Sequence, residues 1–333
     1  MKKTRFSKSE NYPLYVTIII LFILMSLVNG RKFLSWDNVS AMTYQMPMIG
    51  LLALGMMVSE LSGGINLSIV ANANFNGIFI YVVLNALTKG NMMAANGGQF
   101  ILALVLSFLM TMLIGALNGY LIAAWNIPAL LETLGMMTLL KGISLVITQG
   151  YTISDFPDSL TFLGGGSVLG IPMSLIIFVA VCIIVHIILD KTVFGKQLYF
   201  TGANPVAARF SNINVNKVII KEYMLSAFFA YVCSLIMIGQ MNSVKATYYD
   251  SYLLIAVLAS FLGGVDPAGG FGKLLGTVLA SIILQIISTG LNLMRLDPFM
   301  VTATWGAIII IVLFGREIAG KFSSGLKRKG AVQ

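Results

Sequence analysis

Ten predominantly apolar stretches run along the chain, at 13–28, 42–61, 65–87, 100–124, 128–148, 171–189, 218–240, 252–262, 274–293 and 299–314. All but the eighth are long enough to approach the roughly 20 residues a helix needs to cross hydrocarbon. In lipid the backbone must satisfy its own hydrogen bonds, so each stretch is expected to be helical. A membrane β-barrel would need strands of about 10 residues with alternating hydrophobicity, and runs such as 15–27 and 305–314 do not alternate. Composition closes the soluble route. Of the 333 residues, 58% are hydrophobic and only 10% charged, against roughly 25% charged in soluble domains. The expected fold class is therefore an all-α integral membrane protein of about ten transmembrane helices. It forms one domain over 1–333, with no room for a separate catalytic unit. The eighth stretch is short for a crossing unless the residues near Tyr248 extend it.

Basic residues set the orientation, because cytoplasmic loops carry an excess of Lys and Arg. With the N-terminus inside and ten crossings, fifteen Lys and Arg fall on the cytoplasmic side and five on the outer side. Both termini are thus expected in the cytoplasm. The net charge of +9 is mostly this signal. No basic stripe interleaved with aromatics supports nucleic-acid binding. The basic start followed by an apolar run looks like a signal peptide, but Asn29-Gly30-Arg31-Lys32 follows in place of a small-residue cleavage site, so a retained first span is expected.

Two glycine-rich segments interrupt the apolar pattern, at Ser62-Gly63-Gly64-Ile65-Asn66-Leu67-Ser68 and at 263–272. Gly63, Gly64, Gly263 and Gly264 are the expected helix breaks. Paired breaks in two halves of a transporter often mark a substrate site; two tight turns between spans are the plainer alternative. Asn66, Asn72, Asn74 and Asn76 follow the first break. At about 100° per residue Asn72 and Asn76 share a helix face. Their amides both donate and accept, which suits a polyhydroxylated ligand, or equally an interhelical bond.

Glu60, Glu132 and Lys141 are read as charges inside spans, which are functional candidates by default. Nine residues separate Glu132 from Lys141, about 13 Å along one helix, so the two cannot pair directly. His186 and the thiols Cys182 and Cys233 have no metal or redox spacing, and structural roles are expected for them. No phosphate loop, H-E-x-x-H or G-x-S-x-G motif is present. The loop from Asp190 to Lys217 is the longest on the cytoplasmic side. Within it Asn204 can cap a short helix that starts at Pro205, either as a solvated connector or as a docking element.

The residues resemble a known family at this point: the permease subunits of bacterial ATP-binding cassette (ABC) importers of the ribose, simple-sugar and autoinducer-2 group. The matching segments are 62–68, similar to S-G-G-I-D-L-S, and Pro128-Ala129 through Thr133-Leu134-Gly135 to Lys141-Gly142. Further matches are Phe194-Gly195-Lys196 with 201–209 and 212–215, Leu262-Gly263-Gly264 through Gly276-Thr277, and Asn292. The resemblance implies a multi-pass permease in the bacterial inner membrane and a sugar-like substrate. It implies a second permease copy or a paralogue, an extracytoplasmic solute-binding protein, and a cytoplasmic ATPase that uses ATP and Mg while this chain binds no cofactor. It makes Asn204, Pro205, Ala207, Ala208 and Arg209 the expected ATPase-coupling surface. Glu60, Asn66, Asn72 and Asn76 are the expected polar groups of the substrate pathway. Asn66 stands where the family has Asp, and Glu60 and Glu132 stand where it has small or apolar residues, so ribose itself does not follow. The alternatives are an ion-coupled secondary transporter using Glu60 or Glu132, and a membrane enzyme working through the same carboxylates.

Overall fold

The computed structural model describes residues 11–297 and 300–311. The basic segments 2–8 and 316–329, which carry the orientation of both termini, lie outside them, as do positions 312–314 of the last apolar stretch. Among the described residues the ten apolar stretches appear as ten helices, eight of them long and apolar enough to cross a membrane. These eight are α1 (Tyr12–Asn29), α2 (Trp36–Glu60), α3 (Ile69–Leu87), α4 (Gly97–Trp125), α5 (Ala129–Thr148), α7 (Met173–Lys191), α10 (Val215–Met241) and α12 (Leu274–Leu293). The two shorter ones are α11 (Tyr252–Leu262) and α13 (Met300–Ile311). Three further helices lie between spans: α6 (Asp158–Gly165), α8 (Val193–Ala203) and α9 (Pro205–Phe210).

Local chemistry sets the ends. Ser35 caps α2 by accepting from the Asn38 backbone N–H. The helix therefore starts six residues before its apolar run, on polar residues that hydropathy discounts. Asn96 and Gln99 form a reciprocal capping box on α4, which satisfies two orphan donors. Asn126, Gln149 and Asn242 end α4, α5 and α10 in left-handed backbone.

Helix α2 is the centre of the bundle, buried without interruption from Met46 to Glu60. It packs on α10, α11 and α12, and α3 lies against α10, α4 and α5. Helices α1, α4 and α7 are peripheral. They turn large apolar side chains outward, among them Ile19, Ile23, Leu109, Leu113, Ile183 and Ile187, as a lipid-facing surface does. Their inner stripes are smaller. Ser107, Thr111, Gly115, Asn118 and Gly119 of α4 are buried, and Gly115 and Gly119 pack on α10, where a Cβ at Gly119 would sit 2.5 Å from the Ile220 Cα. Without water to drive apolar association, such small residues let helix backbones approach closely.

The segment before α11 corrects one expectation. Residues near Tyr248 do not lengthen α11. Strand β4 (Ser243–Val244) pairs with β1 (Ile153–Ser154) from the loop after α5, while β2 (Ser167–Val168) and β3 (Ile171–Pro172) form a separate hairpin. The chain then turns through Tyr249, whose φ is +57°, a value a helix cannot contain. Val244 and Ala246 of this irregular backbone are buried, and Asn74 of α3 donates to the carbonyls of Tyr248 at 2.8 Å and Ala246 at 3.4 Å. Losing such a donor leaves buried acceptors unpaired at a cost of about 1–3 kcal/mol. Asn74→Leu is therefore expected to lower the melting temperature of the purified protein by several degrees, and an unchanged melting curve would remove this role.

Candidate functional site

The segment expected to dock the ATPase has the predicted cap. Asn204 Oδ1 accepts from the backbone N–H groups of Val206 at 3.0 Å and Ala207 at 2.9 Å, and Pro205 occupies the first turn of α9. Asn204, Pro205, Ala207 and Arg209 are exposed. Ala208 is a correction: it is buried, because α9 has one inward face, and the Ala208 carbonyl accepts from the Ile213 N–H at 3.0 Å. The outward surface gains three apolar residues that the sequence reading missed: Phe200, Val206 and Phe210, the last 90% exposed. Aromatic residues standing in a cytoplasmic-type loop were the available signal.

Both glycine-rich segments converge on α8, immediately before this cap. They are turns at the helix ends, between α2 and α3 and between α11 and α12, and they lie at the end of the bundle that carries α8 and α9. The Gly270 N–H donates to the Leu61 carbonyl at 2.8 Å. A Cβ on Gly63 would lie 3.1 Å from the Ala268 carbonyl oxygen, and one on Gly270 2.7 Å from the Ala203 Cα. A Cβ on Gly202 would collide with both the Leu61 carbonyl and the Gly270 nitrogen. Gly63, Gly269 and Gly270 have φ between +81° and +91°, where glycine carries no Cβ penalty. Gly263 packs on Thr277 of α12, whereas Gly264, at φ +88°, faces open space. Tyr199 of α8 fastens the joint by donating to the Gly272 carbonyl at 2.9 Å. Burial, aided by the charge of Asp190, pushes the Tyr199 hydroxyl up to about 12, so it stays protonated as a donor.

Above this joint lies a buried polar layer. Glu60 at the end of α2 is fully buried. Asn66 donates to Ser226 Oγ at 2.9 Å and accepts from the Ser68 backbone N–H at 3.1 Å. Asn76 donates to Ser234 Oγ and accepts from the Thr111 hydroxyl. Asn72 is buried with its Oδ1 unpartnered. Within one chain, then, Asn66 ties the turn before α3 to α10, and Asn76 ties α3 to α10 and α4. Glu132 lies 3.2 Å from the Asn118 amide nitrogen, with the amide oriented so that its oxygen takes the Ser68 hydroxyl. Glu222 of α10 was not singled out from the sequence because it follows Lys221, at the edge of what reads as a loop. It is fully buried and accepts from the Ser62 hydroxyl at 2.8 Å.

Lys141 is not alone. Its Nζ is 2.5 Å from Asp250 Oδ2, and both side chains remain partly exposed. His186, half exposed, lies 3.0 Å from Asp190 one turn on. Cys182 and Cys233 are free thiols, as expected. Among the described residues no group of His, Cys, Asp and Glu is placed to hold a metal ion.

Comparison with known proteins places this geometry. A family model described as "Branched-chain amino acid transport system / permease component" matches residues 38–314. The ribose import permease protein RbsC of Bacillus subtilis (strain 168) is 32% identical over 306 residues, 91% of this chain and 92% of that protein. The autoinducer 2 import system permease protein LsrD of Enterobacter sp. (strain 638) is 30% identical, over 91% and 92%. The L-arabinose transport system permease protein AraH of Escherichia coli (strain K12) is 29% identical, over 92% and 90%. No solved structure gives a significant match.

Proposed function

Because the chain belongs to the branched-chain amino acid transport system / permease component family, we propose that it is the membrane-spanning permease of an ABC importer for a sugar-like solute. The substrate class follows the names of the relatives, which are permeases for ribose, autoinducer 2 and L-arabinose, rather than the wider family label. The chain sits in the bacterial inner membrane and is a transport subunit rather than an enzyme, as its family is a permease component, and ATP with Mg belongs to the partner ATPase. A solute-binding protein delivers the ligand on the outer side, and a second permease copy or paralogue completes the pathway.

The observation that carries the coupling role is the capped α9 with Arg209 and Phe210 turned outward, joined through Gly202 to both glycine turns. A solvated connector needs neither an apolar outward face nor a close-packed seat under the helices. Force applied by a cytoplasmic ATPase at α9 reaches the ends of α2, α3, α11 and α12 through this seat. The ion-coupled alternative gives no role to that arrangement.

The test is a mild-detergent capture of the tagged chain from native membranes, with partners identified by mass spectrometry. An ABC ATPase subunit is expected in the eluate, and the presence or absence of a different permease decides between heterodimer and homodimer. Reproducible recovery of the chain without an ATPase, together with uptake driven by an ion gradient, would overturn the proposal.

A further inference from the structure

We propose that the groove between α1 and α7 is a binding site for a phospholipid whose headgroup carries both a phosphate and a primary ammonium. An acyl chain lies along the groove, and the headgroup meets Asp190 and Lys273 at the end nearest α8.

The groove follows from which helices touch. Helix α1 packs on α12 and α7 packs on α2, which leaves a gap between α1 and α7 with α12 as its floor. The first part is a cavity of about 1200 Å³, with Leu14 of α1, Val179, Cys182 and Asp190 of α7, and Leu275 and Val278 of α12 in its walls. A second cavity of about 400 Å³ continues it, and Phe178, Val179 and Val278 line both. On α7 the lining residues Leu175, Val179, Cys182, His186 and Asp190 recur every three or four positions, so they share one face. From the first to the last of them is about 22 Å at 1.5 Å per residue. Half a bilayer with its headgroup zone is about 20–22 Å deep, so the groove is as deep as one leaflet.

The two ends differ in chemistry. His186, Asp190, Tyr199 and Lys273 stand at the α8 end. Farther in, the walls are side chains such as Phe22, Leu175, Val179 and Ile282. The polar residues there already donate within the protein: Thr43 to the Ser40 carbonyl, and Gln285 to Gln45 and Thr289. Polar groups at one end and hydrocarbon along the rest is the division within a phospholipid. The first cavity opens beside Ile183, 56% exposed on the outer side of α7. An unfilled apolar gap forfeits the dispersion contacts of its walls, and an acyl chain from the adjoining leaflet restores them.

Charge selects the headgroup. Asp190 lies 3.0 Å from His186 Nδ1, and half of its side chain is exposed. A carboxylate has acceptor sites beyond one such bond, which suits an ammonium. Lys273 supplies the cation for the phosphate. A headgroup whose only charge is its phosphate meets Asp190 as a like charge and is disfavoured. The same end is walled by Gly264, Gly270 and Gly272, so the headgroup rests against the glycine turn that seats α8.

The test uses the full chain in lipid nanodiscs, with a phosphatidylethanolamine analogue that carries a photoreactive diazirine on its acyl chain. Cross-linked peptides are mapped by mass spectrometry. Label is expected on α7 around Val179 and Cys182 and on α12 around Val278, at least about tenfold above the outer face of α4 at Leu109 and Leu113. The phosphatidylglycerol analogue with the same chain should label the groove about tenfold less, matching the loss of one charge-assisted hydrogen bond. Asp190→Asn with Lys273→Met should erase that difference. Val179→Trp, placed at a half-exposed position in the groove wall, should remove the label from α12 and serves if the double variant does not fold. Equal labelling of the groove and of α4 overturns the proposal, as does equal labelling by the two headgroups. A groove that takes no label, or one that cross-links to a second copy of the chain instead, overturns it too.

Discussion

Gly202→Val is expected to abolish ATP-driven uptake while leaving the chain in the membrane. Position 202 is helical, where valine is intrinsically no worse than glycine, so helix propensity does not account for the effect. The effect comes from contact: the new Cβ overlaps the Leu61 carbonyl and the Gly270 nitrogen. These are backbone atoms of the two glycine turns, and they cannot rotate away as a side chain does. Overpacking typically costs about 1–3 kcal/mol, and relief here requires α8 to separate from both turns. The Gly270-to-Leu61 hydrogen bond then joins the turns without α8. Solute-stimulated ATP hydrolysis by the reconstituted complex should fall at least about tenfold, and Gly97→Val, built into open space at the other end of the bundle, should leave it unchanged. Gly264→Ala separates conformation from packing. It faces open space at positive φ, so about 1–2 kcal/mol of backbone strain is its only cost. Wild-type stimulation in Gly202→Val would show that the glycine joint transmits nothing.

Arg209→Glu is the second large effect. Arg209 is exposed in the last turn of α9, beside Phe210. An interface built on an arginine and an aromatic anchor concentrates its energy in such residues, and reversal adds repulsion to the lost contact. Close charge pairs across interfaces couple by about 1.5–7 kcal/mol, so capture of the ATPase should fall tenfold or more, or uptake should stop with the complex intact. Arg31→Glu, in the exposed turn after α1, changes the net charge equally and should do neither. Normal capture and normal uptake in Arg209→Glu would remove α9 from the coupling surface.

These two positions differ in how far the sequence reveals them. Arg209 is legible: Asn-Pro announces a capped helix, and a cation beside it in a basic loop invites docking. Gly202 carries no such label, because its importance lies in two backbones distant in sequence. The same contrast runs through the site. Glu132 is visible as a charge in an apolar run. Asp250 is not, since its significance depends on Lys141 from another helix, 109 residues earlier in the chain.

The sequence by itself determined the number and the approximate bounds of the apolar helices. Hydrocarbon forces every span to satisfy its own backbone, so local hydropathy dictates local structure with little help from neighbours. It also determined the Asn204 cap, a bond between residues two and three positions apart. Tertiary structure alone decided the rest: that the glycine segments meet at α8, that Ala208 faces inward, and that Asn66 and Asn76 are engaged between helices. Each of these depends on which faces of separate helices come together, and no period within a single helix specifies its partner.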